Sequence, residues 1–437
     1  MTNDSASVFR FLKRNQWASV HEIESWQLER LRNLLDRSIQ HVPGYRSRFS
    51  DVDPDSIRSL SDLRHLPILS RSEIQQHANQ FLANTLPDGV QSIGQSATSG
   101  STGIPLEVHI TNVRQQWWLA LCLRDIVWCG MDPRGSLLGL RKVPHGREND
   151  PKLMAGAKAK NWGLGLKSLT RTGPAYLMDV QQDPATQLEF AQQVNPDYIV
   201  SYPSNLLHLA RLIREKNVRL PSLKIIQAIA EELTPETQTE ISEAFGVPVK
   251  NTYTCEEAGY IASPCHEADC LHVHDENVIF EVLDEDNQPC EPGATGRVVI
   301  TPLHNDYMPL IRYDIGDYVE LAQPCSCGRG LTSIRRIIGK HRPLMHLPNG
   351  NKKSSHVLAG VIRDVGGFYQ FQFTQYSQDN ARLVVVPSDK WNDGSKEAMR
   401  SGIRAFFESR IELVIDCVDS IALPPNGKLQ SFVSEMR

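Results

Sequence analysis

Ser96-Ala97-Thr98-Ser99-Gly100-Ser101-Thr102-Gly103-Ile104-Pro105 decides how the rest of this chain is read. Five of these ten residues are Ser or Thr. Gly100 and Gly103 let backbone N–H groups turn toward one point, so an anion placed there would meet hydroxyl and amide donors on several sides. A Walker loop is excluded, because no Gly-Lys-Ser/Thr end is present and Leu106 is the last residue before Glu107. A flexible Ser/Gly linker has a similar composition. Here, however, the stretch is short and the strand-like Leu106-Glu107-Val108-His109-Ile110 follows directly. It reads as a triphosphate-gripping loop.

Outward from that loop, a helix is expected with Thr111 or Asn112 as cap and Trp117, Leu119, Ala120, Leu123 and Val127 as its apolar positions. From Leu119 to about Ile300, apolar strands alternate with helices. Tyr198–Tyr202, Leu223–Ile229 and Val247–Tyr253 read as strands, and Thr234-Pro235-Glu236 starts a helix with a Thr cap and Pro at its first position. That alternation is the mark of a layered α/β domain, whose ligands lie at the carboxyl ends of the strands. Beyond Pro292-Gly293, Val298–Ile300 and Tyr318–Leu321 suggest sheet of a second, antiparallel kind. From about Ile338 the pattern turns to small α+β character. The first 90 residues look helical, with Leu28, Leu31, Leu34, Leu35 and Ile39 in helical period, and read as packing and dimer surface without chemistry of their own.

A chain of 437 residues has room for two or three domains, and its 40% hydrophobic and 22% charged content is that of a globular protein. The net charge of −5 gives no basic field for nucleic acid or acidic lipid. No apolar run reaches the length of a bilayer span, and Met1–Ser5 lacks the features of a signal peptide, so a cytoplasmic location is expected. The nine cysteines then read as free thiols or metal ligands, not a disulfide framework. Three thiolates plus one imidazole drawn from Cys265, Cys270, His272 and the knuckle Cys325-Ser326-Cys327-Gly328 suit tetrahedral zinc.

Three further segments join the opening loop: Asn251–Gly259, a strand end running into the acidic turn Glu256-Glu257; Arg312-Tyr313-Asp314-Ile315-Gly316-Asp317, read as a turn between strands; and Pro424-Pro425-Asn426-Gly427-Lys428. In this order they resemble the adenylate-forming superfamily of acyl ligases, and more narrowly its phenylacetate–CoA ligase and capsular polysaccharide biosynthesis branch. His41–Arg46, Leu63–Ser70, Ser201–Ser204 and the block Pro309–Asp317 extend the resemblance over nearly the whole chain.

The resemblance implies a large α/β domain of layered sheets with a β-barrel-like part (residues 1–338), and a small mobile α+β domain (339–437). It implies a two-step reaction in which a carboxylate, aromatic by family, attacks the α-phosphate of ATP to give an acyl-adenylate and pyrophosphate, and a thiol such as that of coenzyme A then displaces AMP. By matching motif, Thr98, Ser99, Gly100, Ser101, Thr102 and Gly103 would grip the β,γ-phosphates. Glu257 would attend Mg²⁺, Asp317 the ribose, Tyr253 the adenine face and Ala230-Glu231 its edge. Lys428 would neutralise the charge growing at the α-phosphate. Some members of the branch carry zinc, and the match by position is Cys265, His272, Cys325 and Cys327, with Cys270, His266 and His274 in reserve.

The chain departs from the family twice. Glu256 stands where Thr or Ser is usual, and Lys340, in Gly339-Lys340-His341-Arg342-Pro343, replaces the hinge arginine with a single point charge. Arg141, Lys142, His145 and Arg147 could meet a polar substrate or CoA phosphates, although solvent exposure explains them as well. Because no carrier domain is fused, the acceptor comes from outside: CoA, a carrier protein, or an amine in an amide-forming relative. A catalytically degenerate, zinc-stabilised nucleotide-binding homologue and a homodimer are the remaining expectations.

Overall fold

The computed structural model describes residues 4–97, 106–142, 156–163, 165–340, 344–408, 411–422 and 431–436. Thr98–Gly103, His145, Arg147 and Lys428 lie outside the described residues, as does the side chain of Lys340.

A twelve-stranded sheet forms the body of the molecule. Five of its strands, Val249–Cys255, Ile225–Ile229, Tyr198–Ser201, Leu137–Leu140 and Ala175–Met178, run parallel to their neighbours in that spatial order. They alternate along the chain with Pro184–Val194, Pro203–Lys216 and Pro235–Phe245, the last capped by Thr234 with Pro235 at its first position. Val249–Cys255 is parallel to one neighbour and antiparallel to the other, Gly259–Pro264. Through it the parallel half continues into the antiparallel strands that carry residues 259–340, so the second sheet expected from the sequence is continuous with the first. At this switch strand the pairing turns from parallel to antiparallel, and its carboxyl end lies with those of the other parallel strands, where open α/β sheets bind ligands.

The helix Asn112–Trp128 follows the antiparallel strand pair Ser92–Ala97 and Glu107–Thr111, with the Thr111 hydroxyl accepting from the Arg114 N–H as its cap. Val127, read as part of its apolar face, is exposed instead. The helix Val20–His41 begins at a Ser19–Glu22 capping box and buries Leu31, Leu34 and Leu35, each worth roughly 1.5–3 kcal/mol against exposure. Leu63 lies in a 3-10 turn, Leu60–His65; the chain extends only from Leu66, and Leu69 bridges to Tyr313. Helices Ser355–Val365 and Asp393–Phe407 and a four-stranded sheet close a separate core, from Met345 to Phe432, that shares no member with the other clusters. No described helix is long and apolar enough to cross a membrane.

Candidate active site

The turn Glu256–Ala258 closes the hairpin at the switch strand, and Gly259 enters the next strand at φ 76°. A Cβ there would stand 2.9 Å from the Trp118 ring, so glycine lets the helix Asn112–Trp128 lie against the turn. Glu257 is only 6% exposed. Its carboxylate accepts from the Tyr313 hydroxyl at 3.2 Å and faces the Arg71 guanidinium at 3.6 Å. Burial, and then the Glu257 charge, push the Tyr313 phenol well up. Glu256 turns elsewhere: the Ser96 hydroxyl donates to its carboxylate, and the Arg114 guanidinium donates to its backbone carbonyl. The extra negative charge is therefore tied to the strand that leads into the Ser/Thr/Gly loop.

Asp317 sits within the strand Tyr313–Leu321, not on a turn between strands as the sequence suggested. Gly316, at φ 75°, bends the strand locally, and its N–H donates to the Asp314 carboxylate at 2.8 Å. Arg312 anchors the segment from beneath; it is buried and makes a two-pronged pair with Glu281 at 3.0 and 2.8 Å. The Tyr253 hydroxyl donates to Asp317 at 2.7 Å, and Lys340 is the backbone register partner of Asp317 on the adjoining strand. Burial and the Asp317 charge hold the Tyr253 phenol protonated far above its usual range.

Ala230, expected at the adenine edge, adopts φ 64°. This turns Glu231 back onto the helix Pro203–Lys216, where Ser204 donates from its N–H at 2.9 Å and from its hydroxyl at 3.0 Å. Tyr202, the residue before that helix, offers no side-chain cap, so Glu231 supplies one from a distant loop. Glu256, Glu257, Tyr253, Asp317, Ala230 and Glu231, with Ser96, Arg114 and Gly339, line one cleft of about 2470 Å³. Its other wall is Gly366–Phe371, Ser388–Lys390 and Ser431–Ser434, from the C-terminal core.

Away from the cleft, Cys265, His272, Cys325 and Cys327 hold their ligand atoms within 4.8 Å of one another. The Cys265 and Cys325 sulfurs are 3.8 Å apart, and the Cys327 sulfur is 3.2 Å from His272 Nε2. Burial lowers the His272 pKa to about 4, leaving the neutral imidazole a metal needs. His274, one of the reserves, instead meets the Ser263 hydroxyl at 2.9 Å. All nine cysteines are free, so no disulfide competes for these thiols.

Arg71 and Arg114 escaped the sequence reading. Arg71 opens a short helix capped by Ser70 in a region read as having no chemistry, and a lone arginine beside a cap serine carries no signal. Only the fold brings it to Glu257.

A family model described as AMP-binding enzyme matches residues 166–302. The phenylacetate-coenzyme A ligase of Thermus thermophilus is 26% identical over 389 residues, spanning 84% of this chain and 82% of the relative. Protein CapK of Staphylococcus aureus is 25% identical over 252 residues, 55% of this chain and 54% of its own. Among solved structures, 2-hydroxyisobutyryl-CoA ligase in the postadenylation state superposes with a TM-score of 0.75 at 17% identity, covering 97% of this chain and 92% of that one. Fold, matched segment and relatives together define an adenylate-forming enzyme. Within that superfamily the chain is similar to the phenylacetate–CoA ligase-like branch.

Proposed function

We propose that this protein uses ATP to activate a carboxylic acid, aromatic in its acyl part, as an acyl-adenylate with release of pyrophosphate, and then passes the acyl group to the thiol of coenzyme A. The observation that carries this reading is the meeting of Ser96, Glu257, Tyr253 and Asp317 in one cleft, although they are as much as 221 positions apart in the chain (317 − 96). The Trp118, Trp162 and Tyr260 rings on its walls favour a flat, apolar acyl group.

Thr98–Gly103 continue from Ser96 and would grip the β,γ-phosphates. Asp317, held by Tyr253, would take the ribose hydroxyls, with Tyr253 and Ala230-Glu231 beside the base. Magnesium would be held by Glu257, a hard carboxylate for a hard cation, and would offset phosphate charge. Lys428 would neutralise the charge between attacking carboxylate and α-phosphate. It lies on residues 339–437, which would close for the first step and swing for the second about Gly339-Lys340.

The Cys265, His272, Cys325 and Cys327 donor set suits structural zinc: ligand atoms around an ion with arms of about 2.3 Å lie roughly 3.8 Å apart. Such a site would tie the strand after the Glu256 turn to the loop beyond Asp317.

ATP–pyrophosphate exchange measured across a panel of carboxylic acids tests the reading. Exchange with an aryl acid, followed by CoA consumption, is the expected result. Exchange without CoA consumption would redirect the acyl group to an amine or a carrier protein. No exchange with any acid would leave a nucleotide-binding homologue that does not catalyse.

A further inference from the structure

One half of the cleft runs between the helix Asn112–Trp128 and the facing side of the parallel strands. Residues of one parity, Leu137, Gly139, Val200, Gln227 and Ile229, point into it from successive strands. From the helix come Arg114, Trp118, Cys122, Asp125 and Ile126, a face that starts beside the Glu256 turn and descends into the sheet. Asp125 lies about 10 Å below Trp118 along the helix axis, by a rise of about 1.5 Å per residue. Gln227 meets it there, as a polar interruption in an otherwise apolar strand.

The direction of every hydrogen bond at this floor follows from Asp125. Burial raises its pKa only to about 6, so at pH 8 it is a carboxylate and accepts only. Thr252 and Ser263 hydroxyls donate to its Oδ1 at 2.9 and 2.6 Å. The Ser263 proton being used in this way, His274 Nε2 must donate to the Ser263 oxygen, which is 2.9 Å away. Gln227 Nε2 donates to Asp125 Oδ2 at 2.6 Å and to Thr252 Oγ1 at 2.8 Å, so both amide hydrogens are committed. The Gln227 carbonyl oxygen must then point away from Asp125. The residue is 93% buried (100 − 7), and no described group donates to that oxygen. The oxygen itself is not sealed in the core but opens on the cleft, where the donor of a bound ligand can take the place of water.

We propose that Gln227 is the specificity-determining residue of the acyl pocket, and that the preferred acid carries a hydrogen-bond donor, a ring hydroxyl or amino group, at the end remote from its carboxylate. This rests on the reading that the cleft takes a carboxylic acid. Asp125 is a positioning residue here: it fixes which face of the Gln227 amide the pocket sees. Were Asp125 an asparagine, its N–H₂ could donate to a turned Gln227, and the pocket would gain a donor in place of the acceptor.

The test is direct binding, by calorimetry at pH 8, of three near-isosteric series of benzoic and phenylacetic acids bearing hydroxyl, amino or methyl at the meta or para position. ATP–pyrophosphate exchange is run on the same acids. The best hydroxyl or amino acid should bind at least about tenfold more tightly than its methyl counterpart, the usual worth of one buried hydrogen bond. The hydroxyl and amino arms show which donor is preferred. Gln227→Leu should abolish that ratio while leaving the methyl acids bound as well or better, and Asp125→Asn should shrink or invert it. The wild-type comparison needs no variant, so a poorly folding substitution does not remove the test. Equal binding of methyl and donor-bearing acids, or no binding of any, overturns the inference. Donor-selective binding without exchange would sustain it and overturn the ligase reading; exchange without donor preference would do the reverse.

Discussion

Tyr253 donates its phenol proton to the Asp317 carboxylate at 2.7 Å, linking the switch strand to the strand that carries the proposed ribose acid. A charged acceptor makes this a strong bond, and burial keeps the phenol protonated at any working pH.

Tyr253→Phe should therefore leave Asp317 in place but less firmly oriented. KM for ATP in pyrophosphate exchange should rise several-fold, with a smaller change in kcat and a stability loss of about 1–3 kcal/mol. An unchanged KM would separate Tyr253 from nucleotide binding.

Lys428→Ala should abolish exchange while ATP binding, followed by calorimetry, and the melting temperature stay close to wild type. An interaction made chiefly in the transition state lowers kcat without a matching loss of affinity. A variant that fails to fold, or exchanges normally, would remove the assigned role.

The Arg211 guanidinium stacks 4.0 Å over Tyr369 and donates to the Asp419 carbonyl at 3.1 Å, joining the parallel-sheet helix Pro203–Lys216 to the C-terminal core. These contacts exist only in the present arrangement of the two cores. Arg211→Ala should change the ratio of exchange rate to thioester-forming rate, and equal scaling of both would show that the contact does not select between arrangements.

Metal analysis should find about one zinc per chain. Cys327→Ala should lower zinc content and melting temperature together, and strong chelation should mimic it. Metal-free protein with unaltered melting would eliminate the site.

Asp275 is buried, accepts from the Thr332 N–H at 2.6 Å, and has its pKa raised by burial from 3.8 to about 7. Between those values the folded state binds more protons than the unfolded chain. This contribution to stability is complete below pH 3.8 and is lost as pH rises toward about 7, with a slope of at most about 1.4 kcal/mol per pH unit. Asp275→Asn, which cannot ionise, should remove that part of the slope. Denaturant unfolding from pH 4 to 8 would show it, and parallel wild-type and variant curves would refute it.

Much of this was legible in local pattern. Thr234-Pro235 announced a capped helix start, Val247–Tyr253 a strand and Asn251–Gly259 its run into an acidic turn, and the Cys/His spacing a cluster that the fold does assemble. Asp317 was recognised but misplaced: Gly316 suggested a turn, whereas cross-strand pairing keeps the segment in the sheet with one local bend. Arg71 was missed because its meeting with Glu257 depends on Leu69 bridging to Tyr313, a contact across more than 240 positions (313 − 69).

By itself the sequence determined the α/β class, the acidic turn bearing Glu257 and the motifs, because caps, periodicity and turn chemistry act over a few neighbouring residues; the choice of four among the Cys/His candidates came from the family resemblance. Only the tertiary structure decided that Glu256 is tied to Ser96, that Glu231 caps a helix, and that Asp125 turns the Gln227 oxygen into the pocket. Those outcomes depend on which buried donors and acceptors meet across the sheet. Such pairings are settled by long-range packing and the need to satisfy every buried polar group, and that requirement leaves no mark in the local order of residues.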